Sequence, residues 1–193
     1  MSLLTYLPAG AVLDEGAIRR GSYTNPDGHG FAVAAAEGII IRRALAYQSL
    51  LRDLEVLRRE LPRAPALFHS LRATQGWGIV DNCHPFAIDH HHDTVIAQDG
   101  PLPRQVHQRR TDLRSKARIA AEEFIPAFEP LSWRRNRVDL ERWLPRDCTA
   151  VILTHDAFGG LGYLIHEDVG TWHEGVWYSS NDFQPYTDDA AAT

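Results

Sequence analysis

The sequence predicts an α+β fold, in which strands and helices come in separate groups along the chain. Apolar, strand-forming segments come first, followed by a helix, more strands, a second helical region and late strands. Of the 193 residues, 44% are hydrophobic and 23% are charged, which is typical of a globular protein. We expect a single domain over residues 1–186 and a frayed tail over residues 187–193.

The first half of the chain contains the clearest periodic helix. Its leucines recur every three or four residues, and Pro62 ends the pattern. Asp14 is placed to cap an earlier, shorter helix. The elements predicted here are a strand at 3–7, a helix at 15–23, a hairpin of strands at 31–36 and 38–43, a helix at 47–61 and a strand at 66–73.

In the second half, a polar loop separates a strand from two helices. Two prolines and many charges predict the loop over 101–114, and Ser115 is a candidate cap for the helix that follows. The predicted elements are a strand at 94–97, helices at 116–127 and 138–144, and strands at 149–154, 162–166 and 175–179. A late aromatic group is expected in the core: Trp172, Trp177, Tyr178 and Phe183.

Charge and cysteine content exclude several classes of function. The net charge is −5 and the pI is about 6.0, so we expect no nucleic-acid partner. No apolar run approaches the roughly 18 residues of a membrane span, and the first ten residues lack a signal sequence. The two cysteines, Cys83 and Cys148, are expected to pack in the interior, and the protein is expected to be cytoplasmic.

Histidines at 90–92, together with His84 and His107, raise the question of a metal site. Adjacent residues of an extended segment point in opposite directions, so three consecutive histidines cannot all face one ion. We therefore interpret 89–93 as a solvated turn and expect no metal and no other cofactor.

Six short motifs occur in order within residues 1–125. They are MSLLT at the N-terminus, NPDGHG at 25–30, HSLRATQG at 69–76, NCHPF at 82–86, AQDG at 97–100 and RIAAE at 118–122. Together they resemble the class II glutamine amidotransferase family, a branch of the N-terminal-nucleophile hydrolases. The resemblance implies a four-layer αββα sandwich with its active site at the first residue of the processed chain.

In that family, an N-terminal cysteine exposed by removal of the initiator Met attacks the side-chain amide of glutamine, and its α-amine serves as the base. An arginine holds the substrate carboxylate, an aspartate holds its ammonium, and an asparagine and a glycine N–H form the oxyanion hole. The resemblance makes Ser2 the candidate nucleophile. It implies these substrate-binding positions: Arg72, Thr74, Gln75, Gln98, Asp99, Gly100 and Lys116.

The candidate site departs from the family pattern at its catalytic positions. Ser2 stands where the family has cysteine, and a serine hydroxyl is a far weaker nucleophile than a thiolate. Asp99 stands where the family has the oxyanion-binding asparagine. An ionised carboxylate only accepts hydrogen bonds, so it cannot donate to an oxyanion.

The substrate-binding positions depart as well. Leu71 and Gln75 replace the arginine and the second histidine of the family motif, and Arg72 lies one residue further on, where a strand side chain points to the other face. Lys116 replaces the aspartate that holds the ammonium. Asp99 and Lys116 either form a salt bridge across the old pocket or make a charged recognition pair for a different ligand.

We therefore predict that glutamine hydrolysis has been lost. Three functions remain open: a non-catalytic amidotransferase-like protein that binds a separate protein or a small molecule, an N-terminal-serine amidohydrolase or amide-bond transferase acting on another substrate, and a poor glutaminase. Alternatively, Ser2 has no catalytic role and is only a small residue that permits removal of Met1.

Overall fold

The computed structural model describes residues 2–73, 79–88, 93–156 and 159–185. Over these residues the chain forms ten strands: β1 Leu3–Leu7, β2 Gly28–Ala35, β3 Gly38–Ala44, β4 Ala66–Leu71, β5 Phe86–Ala87, β6 Thr94–Asp99, β7 Thr149–Asp156, β8 Gly159–Ile165, β9 Thr171–His173 and β10 Val176–Tyr178. It also forms four α-helices: α1 Glu15–Thr24, α2 Tyr47–Glu60, α3 Lys116–Ile119 and α4 Arg134–Trp143. The predicted α+β class is confirmed.

The strands form two antiparallel sheets. The larger sheet has the order β3-β2-β4-β1-β10-β9, and the smaller has the order β5-β6-β7-β8. β1 is therefore an interior strand that pairs with β4 on one side and β10 on the other. β10 is more than 160 residues from β1 in the sequence, so the first and the last of the described strands pair with each other.

Three apolar clusters show how the sheets and helices pack. One joins the larger sheet to α1 and α2, a second fills the space between the two sheets, and a third joins the smaller sheet to α4 and the helical segment that begins with α3. β1 contributes to two of them, because Leu3 and Leu7 face the helices while Leu4 and Tyr6 face the other sheet. Burial on both faces explains why β1 is mostly apolar without alternation. Ser2 directly precedes β1 and is buried as well.

Both predicted helix caps are present. The Asp14 side chain accepts a hydrogen bond from the Ala17 N–H at 2.9 Å, and the Ser115 hydroxyl accepts one from the Arg118 N–H at 3.1 Å. Each cap satisfies one of the donors that the first turn of a helix leaves free.

Several predicted boundaries and one predicted helix are wrong. β2 begins at Gly28 rather than at residue 31, because glycine permits close packing there: a Cβ on Gly30 would lie 2.0 Å from the His84 carbonyl oxygen. α4 begins at Arg134, four residues before the predicted start. The helix predicted over 116–127 is α3 followed by a π-helical turn at 120–124 and a 3₁₀ turn at 125–128, where Pro126 lacks the N–H that an α-helix would need.

The late part of the chain contains a strand that the sequence analysis missed. β9 has three residues, all exposed, at the edge of the larger sheet. As a result Trp172 is 45% exposed, so its predicted place in the core is wrong, whereas Trp177, Tyr178 and Phe183 are buried as predicted.

Some of the remaining predictions concern described residues, and others fall outside them. Cys83 and Cys148 are both buried and free, as predicted. In the described part of the chain, no helix combines the length and apolar character that crossing a membrane requires. The predicted tail at 187–193, the three histidines at 90–92 and the site candidates Thr74 and Gln75 lie outside the described residues.

Candidate functional site

Ser2 lies where the two sheets meet. It precedes β1 of the larger sheet and is 6% exposed. Its backbone N–H donates a hydrogen bond at 3.0 Å to Oδ1 of Asp99, the last residue of β6 in the smaller sheet. Its Oγ accepts a hydrogen bond from the Arg72 backbone N–H at 3.3 Å. The structure therefore brings three of the predicted site residues together.

Two serines that the sequence analysis did not consider complete this arrangement. The Ser179 hydroxyl donates to Asp99 Oδ2 at 2.9 Å and accepts from the Leu4 N–H at 2.9 Å. The Ser180 hydroxyl donates to the Ser2 carbonyl oxygen at 3.5 Å. Both follow β10, so only knowledge that β10 pairs with β1 could have revealed them.

Asp99 is an acceptor fixed by donors on both of its oxygens. Burial raises the pKa of its carboxyl, because removal from water penalises the charged form, and the nearby Asp182 raises it further. The hydrogen bonds from the Ser2 N–H and the Ser179 hydroxyl act in the opposite direction. Asp182 itself accepts from the Asn25 side chain at 3.0 Å, which ties the 25–30 motif to the same region.

Arg72 contributes its backbone rather than its guanidinium. β4 ends at Leu71, which pairs with Gly28 of β2, and the exposed Arg72 follows it. The next backbone N–H, that of Ala73, donates to the Asp27 carboxylate at 2.8 Å. The turn before β2 thus holds the end of β4 in a fixed position next to Ser2.

Gln98 and Gly100, on either side of Asp99, have structural contacts. The Cys148 thiol donates to Gln98 Oε1 at 3.2 Å. Gly100 has a φ of +112°, and a Cβ added there would lie 2.3 Å from the Asp147 carbonyl oxygen. Glycine is required at this position both by the backbone conformation and by the contact.

Lys116 is the predicted site residue that the structure does not connect to Asp99. It is the first residue of α3 and is exposed. The described residues include no ion pair between Asp99 and Lys116, since both oxygens of Asp99 are held by Ser2 and Ser179. The predicted salt bridge is therefore not formed, and the alternative, a charged recognition pair, stays a prediction.

Three histidines that belong to the N-terminal motifs form a buried group, which the sequence analysis missed. His29, His69 and His84 are each at most 3% exposed, and the rings of His69 and His84 are 4.2 Å apart. Burial lowers the pKa of His29 to about 4 and that of His69 to about 3, and it lowers the pKa of His84 well below its ordinary value. All three are therefore neutral near pH 7.

These histidines have few partners. His29 Nδ1 lies 3.3 Å from the Ser70 hydroxyl. Neither ring nitrogen of His69 has a hydrogen-bond partner, although the nearby backbone of Gln98 offsets part of the lowering of the His69 pKa by burial. In the ranges that the structure describes, no three His, Cys, Asp or Glu side chains are placed to hold a metal ion.

A separate cavity of about 540 Å³ opens beside α4. Its walls include Arg134, Arg137, Glu141, Tyr163, Glu167 and Trp172. The Arg137 guanidinium lies 3.6 Å from the centre of the Tyr163 ring, and the Trp172 indole N–H donates to Glu167 at 2.7 Å. These contacts fix the side chains that line the cavity.

Comparison with known proteins adds no assignment, because no family model matches the chain and no curated protein matches its sequence.

Proposed function

We propose that this chain is a divergent class II glutamine amidotransferase-like protein that lacks glutaminase activity and acts by binding a protein partner or a small molecule. The proposal includes a four-layer αββα sandwich of the N-terminal-nucleophile type. Three apolar clusters, each between neighbouring layers, support that arrangement.

The observation that carries the proposal is the position of Asp99. Its carboxylate accepts hydrogen bonds from the Ser2 N–H and the Ser179 hydroxyl, so it presents acceptors beside the candidate nucleophile. Hydrolysis of an amide through a tetrahedral intermediate needs donors at that point. Loss of one such donor typically costs about 10²–10³ in rate, and a negative charge in its place costs more.

The substrate-binding positions support the same conclusion. Leu71 offers no group that could pair with a substrate carboxylate. The neighbouring Arg72 contacts Ser2 through its backbone N–H and not through its guanidinium. Lys116 would repel an ammonium rather than attract it. A glutamine molecule would thus lose both of its charged contacts in addition to the oxyanion donor.

Ammonia release from glutamine tests the proposal directly. We expect none above a blank from protein whose N-terminal residue has been established by intact mass. The variant Ser2→Cys should also be inactive, because a better nucleophile does not restore the oxyanion donor or the substrate contacts. Turnover by the wild type would overturn the proposal, and turnover by Ser2→Cys alone would show that Leu71, Asp99 and Lys116 matter less than argued.

One observation favours a second candidate, an N-terminal-serine amidohydrolase or transferase acting on another substrate. The Arg72 N–H points at Ser2 Oγ from 3.3 Å, where it would stabilise negative charge developing on that oxygen. An acylating probe that labels the wild type but not Ser2→Ala would favour this function. A mature chain that retains Met1 would eliminate it, since the α-amine of Ser2 would then be part of a peptide bond.

A further inference from the structure

The backbone nitrogen of Ser2 lies 3.0 Å from the half-buried carboxylate of Asp99, which forms no ion pair with a described side chain and on which the positive charge of the chain's N-terminus acts. Such a carboxylate is costly to bury, because hydrogen bonds from neutral groups replace only part of its hydration. In a chain whose first residue is Ser2, the same nitrogen would be an ammonium. We propose that removal of Met1 converts this hydrogen bond into a partly buried ion pair between the Ser2 α-ammonium and Asp99, which ties the two sheets together at the candidate site.

The step requires only a methionine aminopeptidase and water. Hydrolysis breaks the Met1–Ser2 peptide bond: the hydroxyl of water goes to the carbonyl carbon of Met1, and its proton goes to the Ser2 nitrogen. That nitrogen binds one more proton from solvent and becomes an ammonium. The small side chain of Ser2 suits such an enzyme.

The surroundings favour a cation at the Ser2 nitrogen, because burial and the nearby Asp182 raise the pKa of Asp99 and a positive charge opposes that shift. Asp99 Oδ2 is already held by the Ser179 hydroxyl, which leaves Oδ1 aimed at the Ser2 nitrogen. Asp182 adds negative charge nearby and favours a cation at this position. On the other elements, Arg72 contacts Ser2 through its backbone, and Lys116 makes no ion pair with Asp99.

The ion pair has a chemical consequence for the candidate nucleophile. A protonated α-amine has no lone pair, so it cannot take the proton of the Ser2 hydroxyl as a base. In the proposed function, Asp99 would then block catalysis twice, by presenting an acceptor to the oxyanion and by keeping the amine protonated. The ion pair itself rests only on Ser2 being the first residue and does not depend on the loss of glutaminase activity.

Trace acetylation with acetic anhydride, followed over a range of pH, measures the proposed effect. Lys116 is the single lysine in the sequence and is exposed, so its ε-amine serves as the internal reference. An α-amine ordinarily titrates near 7.7–8.0. We expect the Ser2 amine to titrate at least one pH unit higher, which lowers its acetylation at pH 8 about fivefold or more relative to an ordinary α-amine.

Two matched forms complete the test. Asp99→Asn should return the midpoint to about 7.7–8.0. The wild type produced with a methionine aminopeptidase inhibitor retains Met1, which moves the α-amine one residue along the chain from the 3.0 Å contact with Asp99, so its midpoint should be raised less than that of the processed chain. Because the readout is the midpoint rather than the absolute rate, slow access of the reagent to a buried amine does not imitate the result.

The proposal is overturned if the wild-type Ser2 amine titrates at or below pH 8, if Asp99→Asn leaves the midpoint unchanged, or if cells do not remove Met1. Should Asp99→Asn fail to fold, the comparison between the forms with and without Met1 decides the question. Ser179→Ala, which keeps both charges, should preserve the raised midpoint. Glutaminase activity is measured separately, so the loss of activity and the ion pair can fail independently.

Discussion

Mild acid should destabilise this protein through its three buried histidines. In the unfolded chain a histidine binds a proton with a pKa of about 6.5, whereas burial holds the pKa of His29 at about 4 and of His69 at about 3, with His84 also strongly lowered. The unfolded state therefore binds more protons than the folded state below about pH 6.5. Their stabilising contribution is fully present above that pH and is lost as the pH falls towards the folded-state values.

The size of the effect follows from the two pKa values. Between pH 7.5 and pH 5, a histidine that shifts from about 6.5 to about 4 reduces the free energy of unfolding by about 2 kcal/mol. His29 and His69 together give about 4 kcal/mol, and His84 adds a contribution of the same sign. This is a large part of the roughly 5–15 kcal/mol that stabilises a typical domain. Carboxylates with lowered pKa values contribute to acid unfolding mainly below pH 5. Asp99, whose pKa is raised, contributes with the opposite sign, so a loss of stability in this window points to the histidines.

Urea unfolding at pH 7.5, 6 and 5 tests the prediction. The variant His29→Gln removes one of the three groups and should reduce the loss of stability between pH 7.5 and pH 5 by about 2 kcal/mol, whatever its effect on stability at pH 7.5. His107, which is exposed in the 101–114 loop, provides the control: His107→Gln should leave the pH dependence unchanged. Equal stability at pH 7.5 and pH 5 would refute the argument, as would a loss that His29→Gln does not reduce.

Three further predictions concern the candidate site and its surroundings. Ser179→Ala removes two hydrogen bonds and should lower the free energy of unfolding by about 1–3 kcal/mol, while Ser180→Ala, which removes one long hydrogen bond, should cost less; urea unfolding compares them. Gly100→Ala should destabilise by more than Gly175→Ala in thermal unfolding, because both have positive φ but only the first meets neighbouring backbone. The Cys148 thiol, whose pKa burial and nearby carboxylates raise to about 12, should react with a disulfide reagent at pH 8 no faster than the protein unfolds.

The sequence predicted those parts of the fold whose causes are local. Residues 3–7 are apolar apart from Thr5 and show no alternation, and the strand they form is buried on both faces. The cap at Asp14 needed only a side chain of the right type three residues before a free N–H. By contrast, β9 is short and exposed, so neither periodicity nor apolar content distinguishes it from a loop.

The candidate site was predictable only in part, for a related reason. The motifs suggested that Ser2 and Asp99 lie close together, and the structure places them in contact. Ser179 is 175 residues from Leu4, its hydrogen-bond donor. A local sequence pattern cannot predict a contact between residues that are so far apart in the chain. The burial of the three histidines was equally unpredictable, because the occurrence of a histidine in a motif does not indicate whether its ring is exposed to solvent.

The contacts of Asp99 also predict what a change to asparagine would do at this position. Asp99 accepts from two donors, one on each carboxylate oxygen, and the donors come from the start of β1 and the end of β10. An asparagine there has one acceptor oxygen and one NH₂ group, so one of the two donors would face another donor. The Ser179 hydroxyl could turn away, but it would leave the contact that joins β6 to the larger sheet. Asp99→Asn should therefore lower the free energy of unfolding even though it adds a donor beside Ser2, because the two hydrogen bonds of Asp99 join the smaller sheet to the larger one.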